Sequence, residues 1–294
     1  MKKLIFIWLT ILSLTPVFGR ERLTPYLADS VSNTGIAVIV CPGGSYSWLD
    51  MKNEGAFVCE WLQANGINAY LLRYRVASVP AYIFGFRVLG IGHKYPDMLI
   101  DVQDALRYVY DHAAEHHVDT ARIGVMGFSA GGHLAMASWA YSSSPEQGRS
   151  GRVFPKFLVP IYPVITFHNY KNSSPKVGEG DRLRGRGMEQ LVHKRSRRGA
   201  LGVWGQWNTV MQDSLSIERH IRPDCPPVFL VACEDDQTVD FRNSLLLDSA
   251  LTANHVPHTF YHCTTGGHGF GVSDTKGTPE ARNWRSAFLK WVGL

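Results

Sequence analysis

The chain has 294 residues, 45% of them hydrophobic and 19% charged, with a formal net charge of +5. That composition suits a folded protein with a sizeable core and excludes a disordered chain. The charge is too weak for the basic face of a nucleic-acid binder, and Lys2 and Lys3 supply two of its units.

Those lysines precede an apolar run, residues 4–14, followed by Pro16 and the small residue Gly19. A charged start, an apolar stretch and a small-residue cleavage point read as an export signal over residues 1–19. The run is shorter than the ~20 residues that a bilayer span takes. The expectation is a periplasmic or extracellular protein without stable membrane insertion after cleavage, folded as one domain over residues 20–294.

Apolar runs at 36–41, 67–74, 122–127, 156–161, 227–233 and 258–263 predict buried strands. Helical periodicity predicts helices at 53–65, 97–116, 130–141, 240–253 and 279–292. Alternation of this kind predicts an α/β fold, with a mostly parallel sheet covered on both faces and loops gathered at the strands' C-terminal ends. Two stretches, 77–94 and 167–224, break the alternation and read as insertions over that edge. The second carries Arg182, Arg184, Arg186, Lys194, Arg195, Arg197 and Arg198, then Trp204 and Trp207. The basic run reads first as a solvated loop, and more sharply as a contact for an acidic substrate or surface.

The five cysteines, Cys41, Cys59, Cys225, Cys233 and Cys263, form no C-x-x-C and no metal-type spacing. Buried free thiols are expected, with a bridge from Cys225 as the alternative. No metal or organic cofactor is implied.

The predicted strand 122–127 runs into Gly127-Phe128-Ser129-Ala130-Gly131 ahead of a predicted helix. A serine hydroxyl attacks only when it is exposed, oriented and deprotonated by a neighbouring base. A G-x-S-x-G turn between strand and helix supplies the exposure, which makes Ser129 the candidate nucleophile. The candidate base is His268, in the glycine-rich loop after the last predicted strand. His255, His258 and His262 are its rivals, and two of them fall inside the strand pattern. The third member should be a carboxylate that orients the imidazole. Glu234, Asp235 and Asp236 crowd one strand end, and Asp236 is the choice ahead of Asp235. Gly43, Gly44 and Ser45 follow the first predicted strand, and their loop, with the N–H of Ala130, can form an oxyanion hole.

Together these segments resemble the α/β-hydrolase superfamily, and within it secreted bacterial esterases related to acetylxylan esterases and to hormone-sensitive-lipase-like, BD-FAE-like enzymes. The matching pieces are Cys41-Pro42-Gly43-Gly44-Ser45-Tyr46, Tyr74-Arg75-Val76, Tyr95-Pro96-Asp97, the stretch from Gly124 to Leu134, Asp235-Asp236-Gln237-Thr238-Val239 and Gly267-His268-Gly269. The resemblance implies an acid at Asp236, from an Asp-x-x-Val pattern, and oxyanion donors at Gly44 and Ser45. The chain departs from the pattern at Pro42, where a histidine is common, and at Ser45, where a third glycine is common.

The leading expectation is therefore a serine ester hydrolase acting on an acylated small molecule or carbohydrate, such as a plant-type polysaccharide. Trp48, Trp204 and Trp207 could stack on sugar rings. A prolyl-oligopeptidase-type peptidase ranks lower, because only a short segment precedes residue 36. A non-catalytic binding protein ranks lower still, because Ser129, Asp236 and His268 are all present.

Overall fold

The computed structural model describes residues 22–76, 93, 95–141, 153–168 and 209–294. The leader at 1–19, the insertion at 77–94 apart from His93, the basic run Arg182–Arg198, Trp204 and Trp207 lie outside the described residues.

The described residues form a seven-stranded sheet: β1 (Leu23–Tyr26), β2 (Ala37–Cys41), β3 (Asn68–Leu72), β4 (Ile123–Phe128), β5 (Phe157–Ile161), β6 (Val228–Cys233) and β7 (His258–Cys263). The spatial order is β1-β3-β2-β4-β5-β6-β7. Only the β1–β3 pair is antiparallel among these neighbours. Six strands fall where the apolar runs predicted them, but β7, expected to be buried, has only Cys263 buried because it lies at the edge of the described sheet. The seventh, β1, was not anticipated, because its Leu-Thr-Pro-Tyr has little apolar run and includes a proline. A proline is tolerated there because β1 is an edge strand, with a side free of ladder bonds.

The helices are α1 (Phe57–Ala64), α2 (Asp97–Asp111), α3 (Ala130–Ala140), α4 (Thr209–Leu215), α5 (Arg242–Ala253), α6 (Pro279–Arg282) and α7 (Trp284–Trp291). Four differ from expectation, the first being the helix expected at 53–65, which begins at Phe57 after a wide turn over Lys52–Ala56. The helix expected at 97–116 stops at Asp111, and turns carry the chain to Val118. The helix expected at 279–292 is two pieces meeting at Asn283. In the stretch read as an insertion, 167–224, the described part holds α4 and a short 3-10 turn, Ile217–Arg219.

Strand periodicity divides the core in two. Ile39, Cys41, Tyr70, Val125 and Leu230 point to the side covered by α2, α3 and α5. Val40, Leu71, Met126, Phe128 and Val231 point to the side covered by α1 and α7. Helix α3, directly after Ser129, is buried along its whole length, which fixes the strand-to-helix turn from behind. All five cysteines are buried and free. Burial raises the thiol pKa of Cys41 and Cys59 far above the ordinary value. No helix among the described residues is long and apolar enough to cross a membrane.

Trp284 ties the second half of the core to the loop that carries His268. It is fully buried, stands edge-on to Trp61, and its indole N–H donates to Gly271 O at 2.9 Å. Trp284→Ala should cost ~3–5 kcal/mol of unfolding free energy, read from urea denaturation.

Candidate active site

Ser129 sits between β4 and α3 with φ 54° and ψ −116°, a left-handed conformation that costs a non-glycine residue on the order of 1–3 kcal/mol. The turn is held by Ser129 N donating to Ile161 O at 3.0 Å and by Gly132 N donating to Ser129 O at 3.0 Å. The flanking glycines are required by close approach. A Cβ at Gly131 would lie 2.0 Å from Cys41 O, and one at Gly43 would lie 3.0 Å from Ser129 Cβ.

The three acids after β6 hold three different partners. Glu234 accepts from His262 Nε2 at 2.7 Å. Asp235 accepts the backbone N–H groups of Gly266 and Gly267 at 2.9 and 2.7 Å, fixing the glycine-rich loop. Asp236 Oδ2 stands 2.6 Å from His268 Nδ1, while its Oδ1 accepts Thr238 N at 2.7 Å and Val239 N at 2.9 Å. The geometry separates Asp236 from Asp235, which the crowded sequence left close together. An ionised carboxylate only accepts, so His268 Nδ1 carries a hydrogen and Nε2 is the atom left to exchange a proton with Ser129.

The rival histidines are occupied or distant. His258 bonds Val256 O and Asp248 Oδ1, at 2.8 and 3.0 Å. His255 is exposed where the chain leaves α5 for the N-terminal end of β7.

Ser129 and His268 face one cavity of about 440 Å³, shared with Gly44, Ser45, Trp48, Glu54 and Lys276. Among the described residues no hydrogen bond joins Ser129 to His268, a looseness common before substrate binds. Trp48 is 47% exposed at this cavity.

The loop after β2 is wound tightly. Ser45 and Tyr46 have φ 53° and 56°, so serine takes the left-handed conformation at the position where a glycine was expected. Side chains from three directions offset that strain. Glu54 Oε2 accepts Gly43 N at 2.8 Å, Tyr74 OH donates to Pro42 O at 2.6 Å, and Tyr46 OH meets His133 Nδ1 at 2.7 Å. The N–H groups of Gly44, Ser45 and Ala130 donate to no described group. Arg75, beside Tyr74, ties the end of β3 to α2 through Asp101 at 2.9 Å and Asp97 at 3.2 Å.

Sequence reading missed Glu54, Tyr162 and His133. Glu54 lay inside a predicted helix; here it rides a wide turn, Lys52–Ala56, closed by Ala56 N donating to Met51 O at 2.8 Å. Such turns are frequent at functional sites. The sequence around Glu54, with Asp50, Lys52 and Asn53, is polar enough that nothing in it singled the glutamate out. For Tyr162 the sequence offered no signal either, since it follows a strand like any core aromatic.

Comparison with known proteins gives consistent relatives. The BD-FAE family model matches residues 26–251. An acetylxylan esterase of Xylanibacter ruminicola is 28% identical over 255 residues, 86% of this chain and 44% of that protein. An endo-1,4-beta-xylanase B of Butyrivibrio fibrisolvens is 27% identical over 248 residues, 81% of this chain and 33% of that protein. The chain thus spans less than half the length of these curated relatives. The crystal structure of an acetyl ester-xyloside bifunctional hydrolase from Caldicellulosiruptor lactoaceticus superposes with a TM-score of 0.70 at 29% identity, covering 97% of this chain and 93% of that one.

His133 gives the site an acid limit. Burial pushes its pKa down to about 4, and its Nε2–H donates to Leu215 O at 2.9 Å, leaving Nδ1 to accept from Tyr46. The folded state keeps His133 neutral while the unfolded chain protonates near pH 6.5. Its contribution is full above that pH and is lost as the pH falls toward 4, on the order of 3 kcal/mol in all. In His133→Gln that slope should vanish, measured by urea unfolding at stepped pH.

Proposed function

The chain belongs to the BD-FAE family, and we propose that it is a carboxylic-ester hydrolase working through a serine acyl-enzyme. The observation that carries this reading is the Asp236–His268 pair at 2.6 Å, opening on the same cavity as the strained Ser129.

Ser129 Oγ attacks the acyl carbonyl as His268 Nε2 takes its proton. The carbonyl electrons move to oxygen, which the N–H groups of Gly44, Ser45 and Ala130 stabilise. Asp236 holds the imidazolium in place. Collapse of the tetrahedral intermediate expels the alcohol, which takes the proton from His268. Water, activated by the same imidazole, then attacks the acyl-serine and releases the carboxylic acid.

For the substrate we propose an acetyl or similar small acyl ester on a plant-type saccharide. The relatives named for acetylxylan and acetyl-xyloside hydrolysis support that class. Trp48, half-exposed at the cavity, offers a face for a sugar ring. We also propose that residues 1–19 are removed on export, and N-terminal sequencing of protein recovered from the periplasm or medium checks this.

Ser129→Ala should lower the rate of acetate release from 4-nitrophenyl acetate and acetylated xylan by ~10⁴-fold or more. Hydrolysis at the wild-type rate would sink the acyl-enzyme. Release of ferulate rather than acetate from xylan would reassign the acyl group.

A further inference from the structure

Glu54 is a buried carboxylate, 5% exposed, that the steps above leave unused. Both its oxygens are committed as acceptors. Oε2 takes the Gly43 N–H at 2.8 Å and Oε1 takes the Tyr162 O–H at 2.8 Å. Tyr162 cannot turn its hydrogen elsewhere without loss, because its oxygen already accepts Gly271 N at 3.1 Å. The Gly43 N–H offers a proton on Glu54 no acceptor, and Tyr162 could accept one only by giving up its own donation, so the network favours the ionised form.

Each partner of Glu54 leads to a different part of the site. Gly43 opens the loop whose next two N–H groups are the oxyanion donors. The Tyr162 ring stands 4.5 Å from the His268 ring, centroid to centroid, and Gly271 closes the His268 loop. The charged and titratable groups facing Glu54 are His268, Tyr162, Asp50 and Tyr74. Burial raises the Glu54 pKa, and the attraction of His268 is the largest influence opposing it.

We propose that Glu54 is a positioning residue for ester hydrolysis, holding the Gly43 amide so that Gly44 and Ser45 face the oxyanion, and lending its charge to the His268 imidazolium. This rests on the acyl-enzyme reading. The His268 imidazole takes up positive charge as it accepts the Ser129 proton. The interaction therefore strengthens as the transition state forms, which raises turnover more than substrate binding. A buried anion also acts more strongly here than it would in water.

The test is Glu54→Gln in the full chain, which keeps the shape and removes the charge and one acceptor. With 4-nitrophenyl acetate, kcat should fall roughly 10- to 100-fold with KM little changed. The acidic limb of the kcat/KM profile should move to lower pH, because the imidazolium has lost a supporting charge. A role in folding alone would lower the yield and the urea midpoint and leave that limb in place. Folded E54Q with an unshifted acidic limb, or with unchanged kcat, overturns the proposal. If E54Q does not fold, Tyr162→Phe decides: it keeps the carboxylate but cuts its link to the His268 loop. Losing that donor makes the Glu54 charge harder to keep, so kcat should fall and the acidic limb should move to lower pH, and an unmoved limb overturns the proposal. Ser129→Ala in the same assay separates the two readings. Activity that survives S129A removes the acyl-enzyme and this role with it. A dead S129A beside an unaffected E54Q removes only the role of Glu54.

Discussion

Three stretches of backbone converge on Ser129 more closely than side chains would allow. Gly43 approaches from the loop after β2, and Gly127 and Gly131 meet across the turn itself, where a Cβ on Gly127 would lie 1.9 Å from Gly131 O. The left-handed turn depends on that approach, and the exposed hydroxyl depends on the turn. The buried α3 behind the turn and β4 beneath it supply the stiffness, since neither can shift without opening the core. The remaining groups of the site are arranged around this fixed point.

They are held by unequal means. The acid and the base leave adjacent parallel strands at the same level, because Cys233 and Cys263 are paired in the β6–β7 register. Short hydrogen bonds from Asp235 and Asp236 then set the His268 loop. The loop after β2 has no such ladder. Its strained residues are kept in place by side chains reaching in from the turn before α1, the stretch just after β3 and the first turn of α3. Half of the site is therefore a product of sheet geometry, and half depends on buried polar contacts whose partners lie far apart in sequence.

That division explains what could be read without coordinates. Six strands and the elbow at Ser129 were legible because apolar runs and glycine spacing are local signals. His268 and Asp236 were legible because parallel strands deliver the ends of consecutive segments to one edge. Asp236 was preferred to Asp235 on the resemblance to an Asp-x-x-Val pattern, and the structure sets Asp236 beside His268 while Asp235 takes the loop amides. Glu54, Tyr162 and His133 stayed hidden for another reason. Each acts through a contact to a distant residue, 108 positions apart for Glu54 and Tyr162 and 87 for Tyr46 and His133. Periodicity carries no information about such pairs. The edge strand β1 was missed because pairing to β3, rather than its own composition, makes it a strand.

The run Glu234-Asp235-Asp236 assigns one partner to each successive carboxylate: a histidine on the neighbouring strand, two loop amides, and the imidazole at the cavity. Composition there matters less than counting. Deleting Glu234 with the strand end fixed would move Asp236 onto the loop amides and set Gln237 opposite His268, so that the imidazole lost its carboxylate. Glu234 and Asp235 could each be exchanged for another acceptor, whereas a change of length would move Asp236 off His268.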